Sequence, residues 1–394
     1  MTIPELVETY KDEYIAIRRD LHQHPELSKQ EFRTTEVVKR ELSKCGIEIL
    51  DTELETGCIA VIHGKGPGKT IALRADMDAL PVTEETNLPF SSQTEGVCHA
   101  CGHDIHTASL LFTARILQEK REEFNGTVKL FFQPAEECGA GALSIIKAGG
   151  MQDPKPEMIL GMHCSPDIPA GMIGLKKGPA MADGSLVKIK VIGKGGHGAH
   201  PYRAVDPIAI ACFLYCQLQT IITRENNAAY PAILTFGSIH GGNAGNVIPD
   251  TVELAGGLRT FNEESRDNIL AAIERMSKSC CEAMRGTCEV TIKKGPGPLV
   301  NVPWVIDRVA EATKKVLGED KIYNIEIPSP GGDDFLLYLK ECPGAYFRIG
   351  TWDQTKPETG HGLHNAQNVF DERGMCSGVA AMSQAALDFL QDLN

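Results

Sequence analysis

The sequence contains no run of the roughly eighteen apolar residues that a membrane span requires, no internal repeat, no low-complexity tract and no block of positive charge. Membrane insertion and fibrous or disordered architectures are therefore not expected. Lys and Arg number 39 against 52 Asp and Glu, a formal net charge of −13 with the signs interspersed. Phosphate backbones are bound by concentrated positive charge, so nucleic acid is not an expected partner. The opening MTIPELVETYKDEY is polar and acidic, without the basic start and apolar core of a secretory signal. A cytoplasmic location is expected on that basis. The cysteines are odd in number, 13, and scattered, which in a long chain of this kind reads as free thiols or metal ligands and not as a disulfide framework.

What is present is an ordinary globular composition, 42% hydrophobic and 23% charged over 394 residues, enough for two domains and a sizeable core. The first 45 residues read as two helices broken at His24-Pro25, because the residue before proline is steered away from helix. Ser28 with Glu31 three residues on has the spacing of a capping box, and Gly46 reads as a stop. Strands are then expected at Cys58 to His63, Thr70 to Arg74, Thr127 to Phe132 and Met158 to His163, with helices at Ile105 to Lys120 and Ala140 to Ala148. Strand and helix in alternation predict an α/β sheet.

From Asp183 the pattern becomes strand, helix, two strands, helix, strand: Ser185 to Ile192, Ala209 to Thr223, Ala232 to Ile239, Thr251 to Thr260, Glu263 to Met284 and Cys288 to Lys293. That order is the signature of a split-βαβ, ferredoxin-like sandwich. The chain then returns with a helix after Asn301, a strand at Ala345 to Ile349 and a closing helix from Glu372 to Leu390. A two-domain α/β protein is expected, with residues 1–182 and 297–394 forming one domain and an α+β domain of residues 183–296 inserted in it.

Potential metal ligands recur at or just beyond the C-terminal ends of predicted strands, where open α/β sheets place their sites. Asp76 and Asp78 follow one strand and, in extended chain, would point to the same side. Cys98, His99, Cys101, His103, Asp104 and His106 put six potential ligands into nine residues before a helix. A structural zinc site would need a second Cys or His pair, and none stands at suitable spacing. A redox Cys98-Cys101 pair stays open, although no thioredoxin-like pattern surrounds it. Glu136 and Glu137 follow an apolar strand, which carries the pair to the edge of a core, where one could hold a metal and the other a water. His163 ends a strand, and His361 and His364 lie near the C-terminus. Thiol, imidazole and carboxylate donors with a spare carboxylate suit a divalent transition metal used for hydrolysis.

Taken together, these segments resemble the aminoacylase and hippurate hydrolase branch of the co-catalytic, two-metal metallopeptidases, which includes the plant auxin-conjugate amidohydrolases. The match runs in order through Leu21 to Glu26, Arg74 to Pro81, Cys101-Gly102-His103-Asp104, Pro134 to Glu137, Gly161-Met162-His163, Gly193 to His197, Asn246 to Asp250 and Leu363-His364-Asn365. The resemblance implies two divalent metal ions per subunit (zinc, manganese, nickel or cobalt) held by Cys101, His103, Glu137, His163 and His364, with Cys101 bridging. It implies Glu136 as general base and acid, and Asp78 as the carboxylate that orients a ligand. Asp76 stands where related branches carry a histidine ligand. His197 corresponds to a histidine of the smaller domain that reaches a neighbouring subunit's site and bonds the oxyanion, and Asn246 and Arg259 to residues holding the substrate's α-carboxylate. One departure is Gly331-Gly332-Asp333-Asp334-Phe335, where relatives commonly carry Ser-Glu-Asp-Phe.

The expected activity is metal-dependent hydrolysis of the amide bond of a small-molecule N-acyl amino acid, giving a carboxylic acid and a free amino acid. A carboxypeptidase, a dipeptidase or an aminobenzoyl-glutamate hydrolase of the same family is the nearest alternative, and a non-hydrolytic metal-binding or thiol-redox protein the alternative from another class. A homodimer through the inserted domain is expected, since that domain carries His197 and offers an edge strand.

Overall fold

The computed structural model describes residues 1–392 and divides into two compact units. The first comprises Met1–Gly178, Val300–Ile327 and the chain from Asp333 onward; the second comprises Pro179–Leu299 and Pro328–Gly332. The short return Pro328–Gly332 has no counterpart in the sequence pattern. It is held by main-chain bonds, with Ala182 N–H donating to the carbonyls of Ser329 and Gly331 at 3.0 and 2.9 Å.

In the first unit an eight-stranded sheet runs in the order Glu48–Ile49, Cys58–His63, Thr127–Gln133, Thr70–Asp76, Met158–Pro169, Gly344–Trp352, Ile173–Leu175, Ile322–Asn324. Its central four strands are mutually parallel. Every residue of Thr70–Asp76 and of Thr127–Gln133 is buried, continuous burial that marks strands covered on both faces. The helix His103–Glu119 has 14 of its 17 residues buried. It packs on the sheet under the helices Ile3–Gln23 and Arg373–Gln391, which explains why it is buried nearly all round, its polar residues His103, Asp104, His106, Thr107, Ser109 and Thr113 included.

Parallel pairing brings the C-terminal ends of the central strands to one edge. Register sets Asp76 beside Gln133 and Arg74 beside Gly161, so the residues just after Thr70–Asp76 and Thr127–Gln133 become neighbours. The strand Met158–Pro169 runs well past His163, because Gly344–Trp352 continues to pair with it as far as Pro169.

The helix Phe32–Lys44 corrects one expectation. Ser28 and Glu31 do not form a capping box, and the helix begins without a side-chain cap. Ser28 Oγ instead donates to Asp78 Oδ2 at 2.6 Å, while Glu31 accepts from Thr56 Oγ1 and from Ala135 N–H, both at 2.8 Å. Both side chains brace the loops of the site and are withdrawn from the helix end. Gly46, at φ +66°, does terminate the helix, in the left-handed conformation that costs glycine little.

The second unit contains a four-stranded antiparallel sheet in the order Ala232–His240, Thr251–Thr260, Asp183–Ile192, Thr287–Lys293. Helices Pro207–Arg224 and Glu263–Ala283 cover one face of it, around a separate core that includes Val187, Ile189, Leu214, Leu254, Leu258 and Ile273. Among the described residues no helix is long and apolar enough to cross a membrane.

Candidate metal centre

The turn Pro134-Ala135 delivers Glu136 and Glu137 to the sheet edge, with Ala135 in the left-handed region at φ +57°. The Asp78 carboxylate anchors that turn. Its Oδ1 accepts from Glu136 N–H at 3.1 Å and from His103 Nδ1–H at 3.3 Å, and its Oδ2 from Glu137 N–H at 3.0 Å and from Ser28. Burial opposes the charge on Asp78, but these donors outweigh it and hold its pKa below the usual carboxylate value. Both oxygens of Asp78 are thus committed to hydrogen bonds, and among the described residues Asp78 belongs to no candidate donor group.

Gly102, at φ +85°, opens the helix that carries His103, and a Cβ there would lie 2.9 Å from Cys164 Sγ. Because Nδ1–H donates to Asp78, His103 presents Nε2, which is buried without a hydrogen-bond partner. His163 Nδ1–H donates to the Cys164 carbonyl at 2.7 Å, leaving Nε2 3.4 Å from Cys101 Sγ. His364, held by its N–H to the Ala100 carbonyl at 2.9 Å and in the left-handed region at φ +64°, sets Nε2 3.3 Å from Glu137 Oε1.

The donor atoms of Cys101, His103 and His163 lie within 4.8 Å of one another, as do those of Cys101, Glu137 and His364. The two triplets share Cys101. Ligand bonds of about 2.0–2.3 Å put neighbouring donors on the order of 3.3–3.8 Å apart, and the spacings of 3.4 Å for Cys101–His163 and 3.3 Å for His364–Glu137 agree; His103 and Glu137, 3.8 Å apart, form a further group with Glu136. Glu137 Oε1, like His103 Nε2, is buried without a hydrogen-bond partner. A buried carboxylate oxygen and an imidazole nitrogen left unpaired at convergent positions fit a cation between them. Cys98, His99 and His361 belong to no such group among the described residues. Burial pushes the Cys98 thiol up to about 12, the opposite of the lowered value that a redox-reactive cysteine needs.

Glu136 lies beside this cluster, with a carboxylate oxygen within 4.8 Å of Asp333 and Asp334 oxygens. Burial, reinforced by the negative charge of Asp333, pushes its pKa well above the ordinary value. Asp333 is turned inward, accepting from Tyr346 Oη at 2.6 Å, from Phe335 N–H at 2.8 Å and from Arg74 Nη2 at 3.4 Å. Asp334 is held by Gln133 and by Ala142 N–H, and burial raises it to about 7 despite Arg74. Buried Arg74 is the hub of this layer. Sequence reasoning passed over it, and the signal available was its period-two spacing with Asp76 and Asp78, which sets all three on one side of an extended segment.

The remaining candidates lie in the second unit. Ala199 N–H donates to His197 Nδ1 at 3.0 Å, so the neutral ring carries its proton on Nε2 as an outward donor. Gly198 N–H donates to the Asn246 carbonyl at 2.8 Å, and His197 and Val247 pair between two short strands. Exposed Arg259 stands in the sheet beside Gly184, where a Cβ would meet its Nη1 at 2.6 Å.

A thiol, three imidazoles and adjoining carboxylates at the C-terminal edge of a parallel sheet, in a chain with an inserted ferredoxin-like sandwich, define a metal-dependent hydrolase. Residues 72–388 match the peptidase family M20/M25/M40, and the chain belongs to that family. It is 42% identical over 370 residues to the N-acetyl-L-cysteine deacetylase of Bacillus subtilis (strain 168), covering 94% of this chain and 86% of the relative. To thermostable carboxypeptidase 1 of Saccharolobus solfataricus it is 38% identical over 387 residues, 97% of each chain. A solved structure of a dinuclear metal binding peptidase of the M20 family from Bacillus subtilis superposes with a TM-score of 0.86 at 36% identity, covering 98% of this chain and 99% of that one.

Proposed function

We propose that the protein hydrolyses the amide bond of N-acyl-L-amino acids, releasing a carboxylic acid and a free amino acid. The observation that carries this reading is the pair of donor triplets sharing Cys101, with the Glu136 carboxylate adjoining them between Glu137 and the Asp333–Asp334 pair. Cys101, His103, Glu137, His163 and His364 would hold two divalent cations; a thiolate favours zinc, and manganese, nickel or cobalt are the other metals such donors accept. When bound, the cations would supply Lewis acidity for the scissile carbonyl and lower the pKa of a water.

The chain's own groups account for the proton movements. Glu136, anchored through its N–H to Asp78, takes a proton from the attacking water and returns it to the departing amine. Asp78 keeps His103 in the tautomer that presents Nε2. In this reading His197 Nε2–H donates to the oxyanion, and Asn246 and Arg259 recognise the α-carboxylate, which matches the planar fork of arginine. The subunits pair through the second unit, where Phe213 and Tyr215 of one helix and Ile233 of the edge strand Ala232–His240 are exposed, and His197 serves the partner's site. The N-acetyl-L-cysteine deacetylase relative supports the N-acyl substrate class. The carboxypeptidase relative makes peptide cleavage the second reading.

Glu136→Gln is the test. It should retain the metal content of the parent and lose at least about 1,000-fold in kcat, within the range attributed to general acid–base groups. Turnover within tenfold of the parent in that variant, with metal bound, would refute the assignment.

A further inference from the structure

The strand Met158–Pro169 pairs with Thr70–Asp76 only as far as Gly161, opposite Arg74, while its other edge continues to pair with Gly344–Trp352. Past Gly161 the first edge loses its main-chain partner just where the strand presents His163. Cys164, the next residue, is 1% exposed, and an unpaired main-chain N–H at such a depth costs about 1–3 kcal/mol.

His106 fills this gap. Cys164 N–H donates to its Nε2 at 2.8 Å, so the ring proton sits on Nδ1, which donates to Asp76 Oδ1 at 2.5 Å. Arg74 Nη1 donates to the other Asp76 oxygen, also at 2.5 Å. The Cys164 carbonyl in turn accepts from His163 Nδ1–H. The main chain of Cys164 is thereby gripped on both sides, and the His163 ring is aimed with Nε2 toward Cys101. His106 shares a possible donor group with Asp76 and His103, and its ring lies 4.6 Å from that of His163 and 5.3 Å from that of His103, but both of its nitrogens are occupied by hydrogen bonds to Cys164 and Asp76.

We propose that Asp76 and His106 form a positioning bridge that takes over where the strand ladder stops and holds the His163 end of the strand in register for metal binding. The inference rests on reading His163 as a metal ligand.

Two substitutions separate the halves of the bridge. In His106→Gln the side-chain amide reaches the position of Nε2 and can accept from Cys164 N–H. In His106→Asn the amide reaches only the position of Nδ1, keeping Asp76 and abandoning Cys164. Zinc affinity and stoichiometry are measured by chelator competition, and the Tm of each metal-free variant separately. His106→Asn should bind at least one zinc about 10- to 100-fold more weakly, the usual loss when a partner behind a ligand is removed, and His106→Gln should stay within about threefold of the parent. Equal affinities for His106→Asn and the parent, or equal losses in both variants, would overturn the bridge; a lost zinc equivalent in both would make His106 a ligand. His163→Asn is the control. If it keeps both zinc ions at parental affinity, the ligand reading itself has failed, whereas loss there with no change in His106→Asn defeats only the bridge.

Discussion

Asp78→Ala is the most informative single perturbation of the centre, because one carboxylate organises four groups. Its removal strands the N–H groups of Glu136 and Glu137 and His103 Nδ1–H, which now donate at 3.1, 3.0 and 3.3 Å, and frees the Ser28 hydroxyl. Ser28 can turn to another acceptor. The other three are charge-assisted bonds at a buried group 1% exposed. At about 1–3 kcal/mol for each stranded donor, discounted because water can enter the space left by the carboxylate, the loss should be about 3–5 kcal/mol of a total stability that for most domains is about 5–15 kcal/mol. Asp78→Asn separates geometry from charge. Its amide group can face Ser28 while its oxygen keeps Glu136 and His103, leaving the Glu137 N–H alone unpaired, for about 1–3 kcal/mol. Urea denaturation of the metal-free proteins measures both losses, and zinc competition should show about 10- to 100-fold weaker binding in Asp78→Ala as His103 loses its orientation. Equal stability of the two variants within about 0.5 kcal/mol, the scatter of neutral surface substitutions, together with parental zinc affinity, would refute the role assigned to this carboxylate.

Four further outcomes follow. Burial works against the charge on Glu84, but His22, 3.2 Å away, and other donors bring its pKa down to about 2 from an ordinary 4.5; its contribution to stability should be complete above pH 4.5 and disappear as pH falls toward 2, and Glu84→Gln should flatten that limb of a stability–pH curve. Its partner shifts the other way: burial would depress His22, yet the charge and hydrogen bond of Asp104 together with the hydrogen bond to Glu84 outweigh it and raise His22 above 6.5, so the stability His22 contributes is complete below that value and is lost as pH rises beyond it. Gly184→Val places side-chain carbon against Arg259, where a Cβ alone lies 2.6 Å from Nη1; on the proposed role of Arg259 in holding the α-carboxylate, KM for an N-acyl amino acid should rise at least about tenfold, one lost charged contact, with kcat changing less, and steady-state kinetics would show it. Gly102→Ala meets φ +85° and Cys164 Sγ together, and should cost at least about 1–3 kcal/mol from backbone strain, read as a lowered Tm of the metal-free protein.

The strands most legible in the sequence were those whose apolar or β-branched runs are bounded by turn residues. Cys58–His63 and Thr251–Thr260 have the predicted bounds. Misjudged ends have local causes. The helix His103–Glu119 begins two residues before the expected Ile105; His103 and Asp104 are polar, and their burial follows from packing that one chain segment does not reveal. The strand at Met158 continues to Pro169 because a partner distant in sequence pairs with it. Ser28 and Glu31 carry a capping-box spacing, yet Asp78, Thr56 and Ala135 compete for them across the fold. Tertiary hydrogen bonds overrode the local motif. The clustering of thiol, imidazole and carboxylate residues was visible in the spacing, whereas the division of labour among them was not. His103, His106 and His163 look alike in sequence. Only the partner of the second ring nitrogen separates them, and those partners are Asp78, Cys164 N–H with Asp76, and the Cys164 carbonyl.

The most direct test of the central claim is amino acid release from a panel of N-acetyl, N-benzoyl and aminobenzoyl-glutamate substrates and dipeptides, with bound metal counted on the same samples before and after chelation. The account predicts release from N-acyl amino acids that disappears with the metal and returns on adding a divalent cation, at two ions per subunit. Turnover that survives complete removal of metal, or a fully loaded protein that cleaves none of the panel, would contradict it.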